Sequence, residues 1–148
     1  MKTLDDSTVD VPAGSDGTAR ADLTLDGIAG DSVDVTSKSA NGWVSDAGSW
    51  NIGYDTTPTI TSDVYPENGS GGGAGVPGTF TFAPKVKGVA SYTYSFDGDP
   101  EVTVDAGADH TASVDWTPPA AGDYCATVYA TSASGIRLQP YHYCFTVN

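Results

Sequence analysis

The sequence is poor in positive charge. Six Lys and Arg stand against 19 Asp and Glu, a formal net charge of −13 at pH 7. Such a surface repels phosphate backbones and anionic headgroups and lacks the cationic footprint that either requires, so no nucleic-acid partner is expected. Long apolar runs are missing too: nothing reaches the roughly 18 residues of a membrane span, and no membrane insertion is expected. The opening MKTLDDSTVD has no apolar core for a secretory signal; if the protein is exported, its signal lies elsewhere. Glu67 and Glu101 are the only glutamates, and Leu is scarce. The remaining acids are Asp, which suits turns and strand ends where Glu suits helices, so almost no α-helix is expected. The acidity reads as the soluble surface of an all-β protein, with salt adaptation or divalent-cation sites as sharper alternatives.

Cys and His occur twice each. With only Cys125 and Cys144, a thiolate metal site lacks further ligands and has no CxxC spacing. Only His110 and His142 could serve as general bases near neutral pH, and neither sits in a G-x-S-x-G or H-E-x-x-H setting. No catalytic residue is assigned.

What the chain does contain is itself, displaced by 93 residues. VDVPAGSDGTARADLT from Val9 lies over VTVDAGADHTASVDWT from Val102, and the same offset carries Val33 and Val35 onto Ala126 and Val128, Gly42 onto Gly135, Trp50 onto Tyr143 and Ile52 onto Phe145. A repeat of this length divides the chain into a partial unit, residues 1–55, and a complete one, residues 56–148. With the first half of that unit missing, the chain reads as an excerpt from a longer polypeptide or as a segment given a start Met for expression.

The complete unit carries 2-residue periodicity between Gly, Pro and Asp turns. Seven strands are expected: Thr57–Ser62, Thr79–Ala83, Ala90–Phe96, Glu101–Val104, Thr111–Trp116, Asp123–Thr131 and Gln139–Val147. Seven short strands with regular turns predict an all-β antiparallel β-sandwich. ENGSGGGAGVPG, which includes the glycosylation sequon Asn68-Gly69-Ser70, reads as a long flexible connection between the first two. The partial unit supplies only Val9–Val11, Thr18–Leu25, Ser32–Ser37 and Ser49–Tyr54. It lacks the three strands that would close both sheets. Leu23, Val33, Val35 and Ile52 are therefore expected to be under-buried, leaving residues 1–55 disordered, packed on the complete unit, or finished by a strand-completing partner chain.

The stretch YCATVYATSASG from Tyr124 resembles the penultimate-strand motif Y-x-V-x-V-x-A-x-N-x-x-G of fibronectin type III domains, preceded as in that family by an aromatic and a proline, Trp116 and Pro118. With PTITSDVYPE, GSGGGAGVPGTFTFAP and YTYSFDG, the complete unit is also similar to the immunoglobulin-like repeats of large secreted actinobacterial proteins. The resemblance spans about 92 residues and implies an immunoglobulin/fibronectin III-like sandwich at the cell surface or outside the cell. The first copy departs from it: Asp31 stands where the offset places Tyr124, so a tyrosine corner is missing there.

Four features could carry chemistry. If Ser134-Gly135 is the two-residue tip of a hairpin, opposed residues sum to 269, and Cys125 and Cys144 meet that sum. They then face each other on adjacent antiparallel strands, and a bridge would stabilise by about 3 kcal/mol and imply an oxidising compartment; two buried free thiols are the alternative. The first copy has no cysteine at either matching position, so the fold does not require the bridge. Asp97, Asp99 and Glu101 put three carboxylates within five residues, a density that could hold Ca²⁺ if a loop folded them inward, though Asp-Gly-Asp-Pro is also an ordinary turn. His110 matches Gly17, which suggests a position chosen for backbone geometry. Among the aromatics, Trp50, Trp116, Tyr141 and Tyr143 read as core, and Trp43, just past the first copy's hairpin tip, as a ligand-stacking candidate.

These features favour a non-catalytic extracellular repeat that spaces or presents neighbouring domains of a longer chain, with adhesion to a surface protein or glycan. The alternative is a carbohydrate-binding accessory module of a secreted glycoside hydrolase; an enzyme fragment whose active site lies elsewhere is weaker still.

Overall fold

The computed structural model describes residues 8–24 and 30–148. Met1–Ser7, and Leu25 at the end of an expected strand, lie outside them. The described residues are all-β and fall into two compact units, Met1–Tyr54 and Asp55–Asn148.

The second unit holds β3 (Thr59–Thr61), β4 (Ser70–Gly71), β5 (Gly78–Ala83), β6 (Val89–Phe96), β7 (Val102–Asp105), β8 (Ala112–Trp116), β9 (Gly122–Ser132) and β10 (Tyr141–Val147). They form a three-stranded sheet, β3-β5-β8, and a five-stranded sheet, β4-β10-β9-β6-β7. All pairings are antiparallel except β4 with β10. The alternating residues of the two sheets meet in an aromatic core: Phe80 of β5 lies 5.4 Å from Phe145, 6.0 Å from Tyr143 and 5.1 Å from Phe96, and Phe82 lies 5.7 Å from Tyr92. Phe80, Phe82, Tyr92 and Val128 are fully buried. Facing sheets with interdigitated side chains make a β-sandwich.

The eighth strand, β4, corrects the expectation of a flexible Gly-rich connection. That segment is built around Tyr65, which is fully buried and stacks on Phe80. The Tyr65 hydroxyl donates to the Val76 carbonyl, and its carbonyl accepts from the Tyr143 hydroxyl at 2.8 Å. A Cβ at Gly72 or Gly78 would meet the Tyr65 ring at 2.5 or 2.4 Å. The glycines are there so that backbone can lie against the ring, as close approach demands, and the segment then pairs with the edge of β10.

Among its described residues the first unit contains one hairpin, β1 (Asp31–Val35) with β2 (Gly48–Ile52). Two expected strands are absent: residues 9–11 and 18–24 are not strands. The second unit gives the reason. Their matching strands β7 and β8 pair with β6 and β5, which have no counterpart among the described residues of the first unit, whereas the counterparts of β9 and β10 pair with each other.

Where both copies exist they agree in detail. Gly14 N–H donates to Thr18 O and Gly17 N–H to Gly14 O; Gly107 N–H donates to Thr111 O and His110 N–H to Gly107 O. Asp16 Oδ1 accepts from the amide and hydroxyl of Thr18, as Asp109 Oδ1 does from those of Thr111. Gly17 has φ 79° and His110 φ 62°. At the hairpin tips Gly42 N–H donates to Ser39 O and Gly135 N–H to Ser132 O, with φ 89° and 87°.

Candidate functional site

The Cys125–Cys144 pair is a disulfide, on opposed positions of β9 and β10 with Cα atoms 4.1 Å apart. That spacing is that of a close, non-hydrogen-bonded pair. The expected register is right at the cysteines, but the tip is not the expected two residues. Ser132 N–H donates to Ile136 O and Leu138 N–H to Ala130 O, so the loop is Ala133-Ser134-Gly135, and opposed residues there sum to 268. An extra residue at Gln139-Pro140, where Pro cannot donate to the ladder, restores 269 from Tyr141 onward. The first unit has the same shift, with Lys38 opposite Val44 and then Asp31 opposite Ile52. The pair matching the disulfide is Ser32 opposite Asn51.

The three clustered carboxylates are used separately. Asp97 Oδ1 accepts from the Cys125 amide at 2.9 Å, holding the β6–β7 turn against β9. Glu101 accepts from the Tyr129 hydroxyl at 3.3 Å and lies 3.7 Å from the Arg137 guanidinium, which itself stacks 3.5 Å over the Tyr129 ring. Asp99 is exposed, its amide donating to Phe96 O. Among the described residues no three His, Cys, Asp or Glu side chains are grouped to hold a metal ion. The Tyr129–Arg137–Glu101 cluster was not legible in the sequence, because its members are separated by up to 36 residues and meet only through β6-mediated strand order.

Both histidines have structural occupations. His110 sits in the left-handed region, its Nδ1 2.9 Å from Val89 O while its carbonyl accepts from the Tyr92 hydroxyl at 2.7 Å. Burial, then the charge of Asp109, pushes the Tyr92 hydroxyl up to about 12. Asp109 itself is held below the usual carboxylate range by the Thr111 hydroxyl and amide. His142 Nδ1 lies 3.0 Å from Thr127 Oγ1 across the strands, and the matching pair in the first unit is Ser49 Oγ donating to Asp34 Oδ1 at 2.5 Å. A groove lined by Thr61, Ser62, Asp63, Val64, Thr79 and Thr81 carries one carboxylate and no second titratable group.

The aromatics divide unexpectedly. Trp43 follows Gly42 at the tip of the β1–β2 hairpin and is 73% exposed; Ile136, at the matching tip, is also exposed. Trp116 is half-buried against the core, 4.4 Å from Phe96 in a stacked pair, and Tyr143 is 2% exposed. Trp50, expected in the core because it matches Tyr143, is 73% exposed. Among the described residues no ring from an opposing sheet lies over it, as Phe80 lies over Tyr143; of the four residues expected to be under-buried, Val35 is 50% exposed, but Val33 is buried at 8%, which corrects that expectation. Tyr124 OH donates to Ala120 O, four residues upstream, at 3.1 Å.

The chain matches no family model, and no curated protein matches it.

Proposed function

We propose that this chain is a non-catalytic, extracellular immunoglobulin-like or fibronectin III-like repeat that spaces or presents neighbouring domains. One observation carries the reading: turn, hairpin, φ values and register shift recur at a 93-residue offset, and repetition of a structural unit is how arrays, rather than single active sites, are made. Two features support the fold type. The Tyr124–Ala120 hydrogen bond at the start of β9 is the geometry of a tyrosine corner, and the Greek-key order of the two sheets suits the same class. The disulfide is compatible with an oxidising, extracellular setting.

A second reading, a carbohydrate-binding accessory module, is favoured by one fact: Trp43 and Trp50 are each 73% exposed. Indole faces open to solvent can stack on sugar rings. Pull-down on insoluble polysaccharides together with a glycan array separates the two. A spacer is retained on none; retention lost in Trp43→Ala would replace the spacer by the binding module.

A further inference from the structure

Along β9 and β10 side chains alternate between core and solvent. Ala126, Val128, Tyr143 and Phe145 face the core and are 3% exposed or less. Cys125 and Cys144 lie between them in sequence and so on the solvent face, where both are half-buried. Their bridge joins two strands of one sheet, already paired at seven positions, rather than the two sheets of the sandwich. It forms one row between two polar ones: Asp123 accepts from the Thr146 hydroxyl at 2.6 Å on one side, and His142 Nδ1 lies 3.0 Å from Thr127 Oγ1 on the other. The strands do not need the bridge. In the first unit β1 and β2 hold the same register with Ser32 opposite Asn51 in the matching row. In the second, the backbone at each cysteine is held from elsewhere: the Cys125 amide donates to Asp97 Oδ1 and its carbonyl accepts from the Asp97 amide, both at 2.9 Å, while the Cys144 carbonyl accepts from the Asn68 amide at 2.8 Å. A bridge that solvent reaches and the strands can do without belongs with the labile disulfides rather than the structural ones.

We propose that Cys125–Cys144 is a thiol-exchange site, opened in the folded protein by a thiol with cationic surroundings. The incoming thiolate bonds to one sulfur while the other leaves as a thiolate and takes a proton from water. A second thiolate then attacks the mixed disulfide. The protein gains two electrons and two protons, and two partner thiols leave as their disulfide. Two carboxylates select the charge of the thiol: Asp97, bonded to the Cys125 amide, and Asp123, next along the solvent face of β9. On a chain of net charge −13 they repel an anionic thiol and draw in a cationic one. This role stands whether the chain spaces domains or binds glycans.

The test reduces the full chain with cysteamine, a cationic thiol, and follows the release of protein thiol as urea is added. The expected rate changes less than about twofold on adding about 1 M urea, whereas opening that required unfolding would speed up about fivefold or more per molar. Such a rise overturns the proposal. The reduced protein should keep the dispersed amide spectrum of β9 and β10, and its loss overturns the proposal as well. At low salt cysteamine should outpace mercaptoacetate, an anionic thiol, by about fivefold or more per thiolate after correction for thiol basicity. Equal rates overturn the proposal. Asp97→Asn with Asp123→Asn should cut that ratio to about half or less, and a ratio left unchanged overturns it.

Discussion

Trp50 and Tyr143 hold the same place in two copies of one hairpin. Each stands on the second strand, opposite a small apolar residue, eight residues beyond a left-handed glycine. One is 73% exposed and the other 2%. Local sequence built both hairpins alike, down to the shifted register between tip and strand, so hairpin formation does not depend on the sandwich. Burial does. The comparison separates what a strand pair needs, a turn and a partner, from what a core needs, a second layer.

The largest expected contrast lies in those two rings. Tyr143→Ala should destabilise the second unit by about 3–5 kcal/mol, the cost of deleting a buried aromatic, with its hydrogen bond to Tyr65 lost as well. Trp50→Ala should fall within about 0.5 kcal/mol, as exposed substitutions do. Urea denaturation read by NMR of each unit measures both, and comparable losses would mean that the face of the first hairpin is covered in solution.

Next comes the crosslink. Reducing Cys125–Cys144 should lower the stability of the second unit by about 3 kcal/mol on the chain-entropy account. Ser32→Cys with Asn51→Cys, the matching pair in β1 and β2, should oxidise to a bridge in the first unit, read as a 2 Da loss by mass spectrometry (~2 Da for two hydrogens). Failure of that bridge would break the equivalence of the hairpins.

The alkaline response of the second unit comes third. The Tyr92 hydroxyl titrates at about 12 when folded and near 10 when unfolded. The folded state therefore holds the proton more tightly; the stabilisation is complete below pH 10 and is lost as pH rises through 12, on the order of 2 kcal/mol in all. Denaturation between pH 9 and 12 should show a fall in the wild type that is reduced in Tyr92→Phe, the remainder coming from Tyr141 and Tyr143, whose hydroxyls are raised as well. The β1–β2 hairpin, which contains no tyrosine, should not follow it.

The smallest effect concerns the matched turns. His110→Gly, the residue that Gly17 already is, should change stability by less than about 1 kcal/mol: relief of the left-handed cost offsets the lost Nδ1 contact with Val89. His110→Val should cost about 1–3 kcal/mol, a β-branched residue being strained at φ 62°. Thermal melts of the two variants check the pair, and a catalytic histidine would show itself as activity lost at an unchanged melting temperature.

Much of the fold was legible because it is written in short-range signals. Alternation in Ala90–Phe96 marked β6, and each of the seven expected strands of the second unit exists with ends shifted by one or two residues. The cysteine register came out right through two compensating offsets: a tip of three residues rather than two, and an extra residue at Gln139-Pro140. β4 was missed because Gly and Ser carry no strand signal; it is a strand only because Tyr65 pins its flank against β10. Of the candidate site, the disulfide was legible from spacing and the role of His110 from its match with Gly17. The separate uses of Asp97 and Glu101 were not, since they depend on which strands lie beside the turn.

The sequence by itself determined the all-β class, the 93-residue repeat, the turn conformations and the pairing of Cys125 with Cys144, because periodicity, turn chemistry and hairpin register act over a few residues or through one connection. Only the tertiary structure decided that residues 18–24 are not a strand while Ala112–Trp116 is, and that Trp50 is exposed while Tyr143 is buried. A strand exists by its neighbour's hydrogen bonds and a core residue by the layer opposite it; the same local sequence meets those partners in one unit and lacks them in the other.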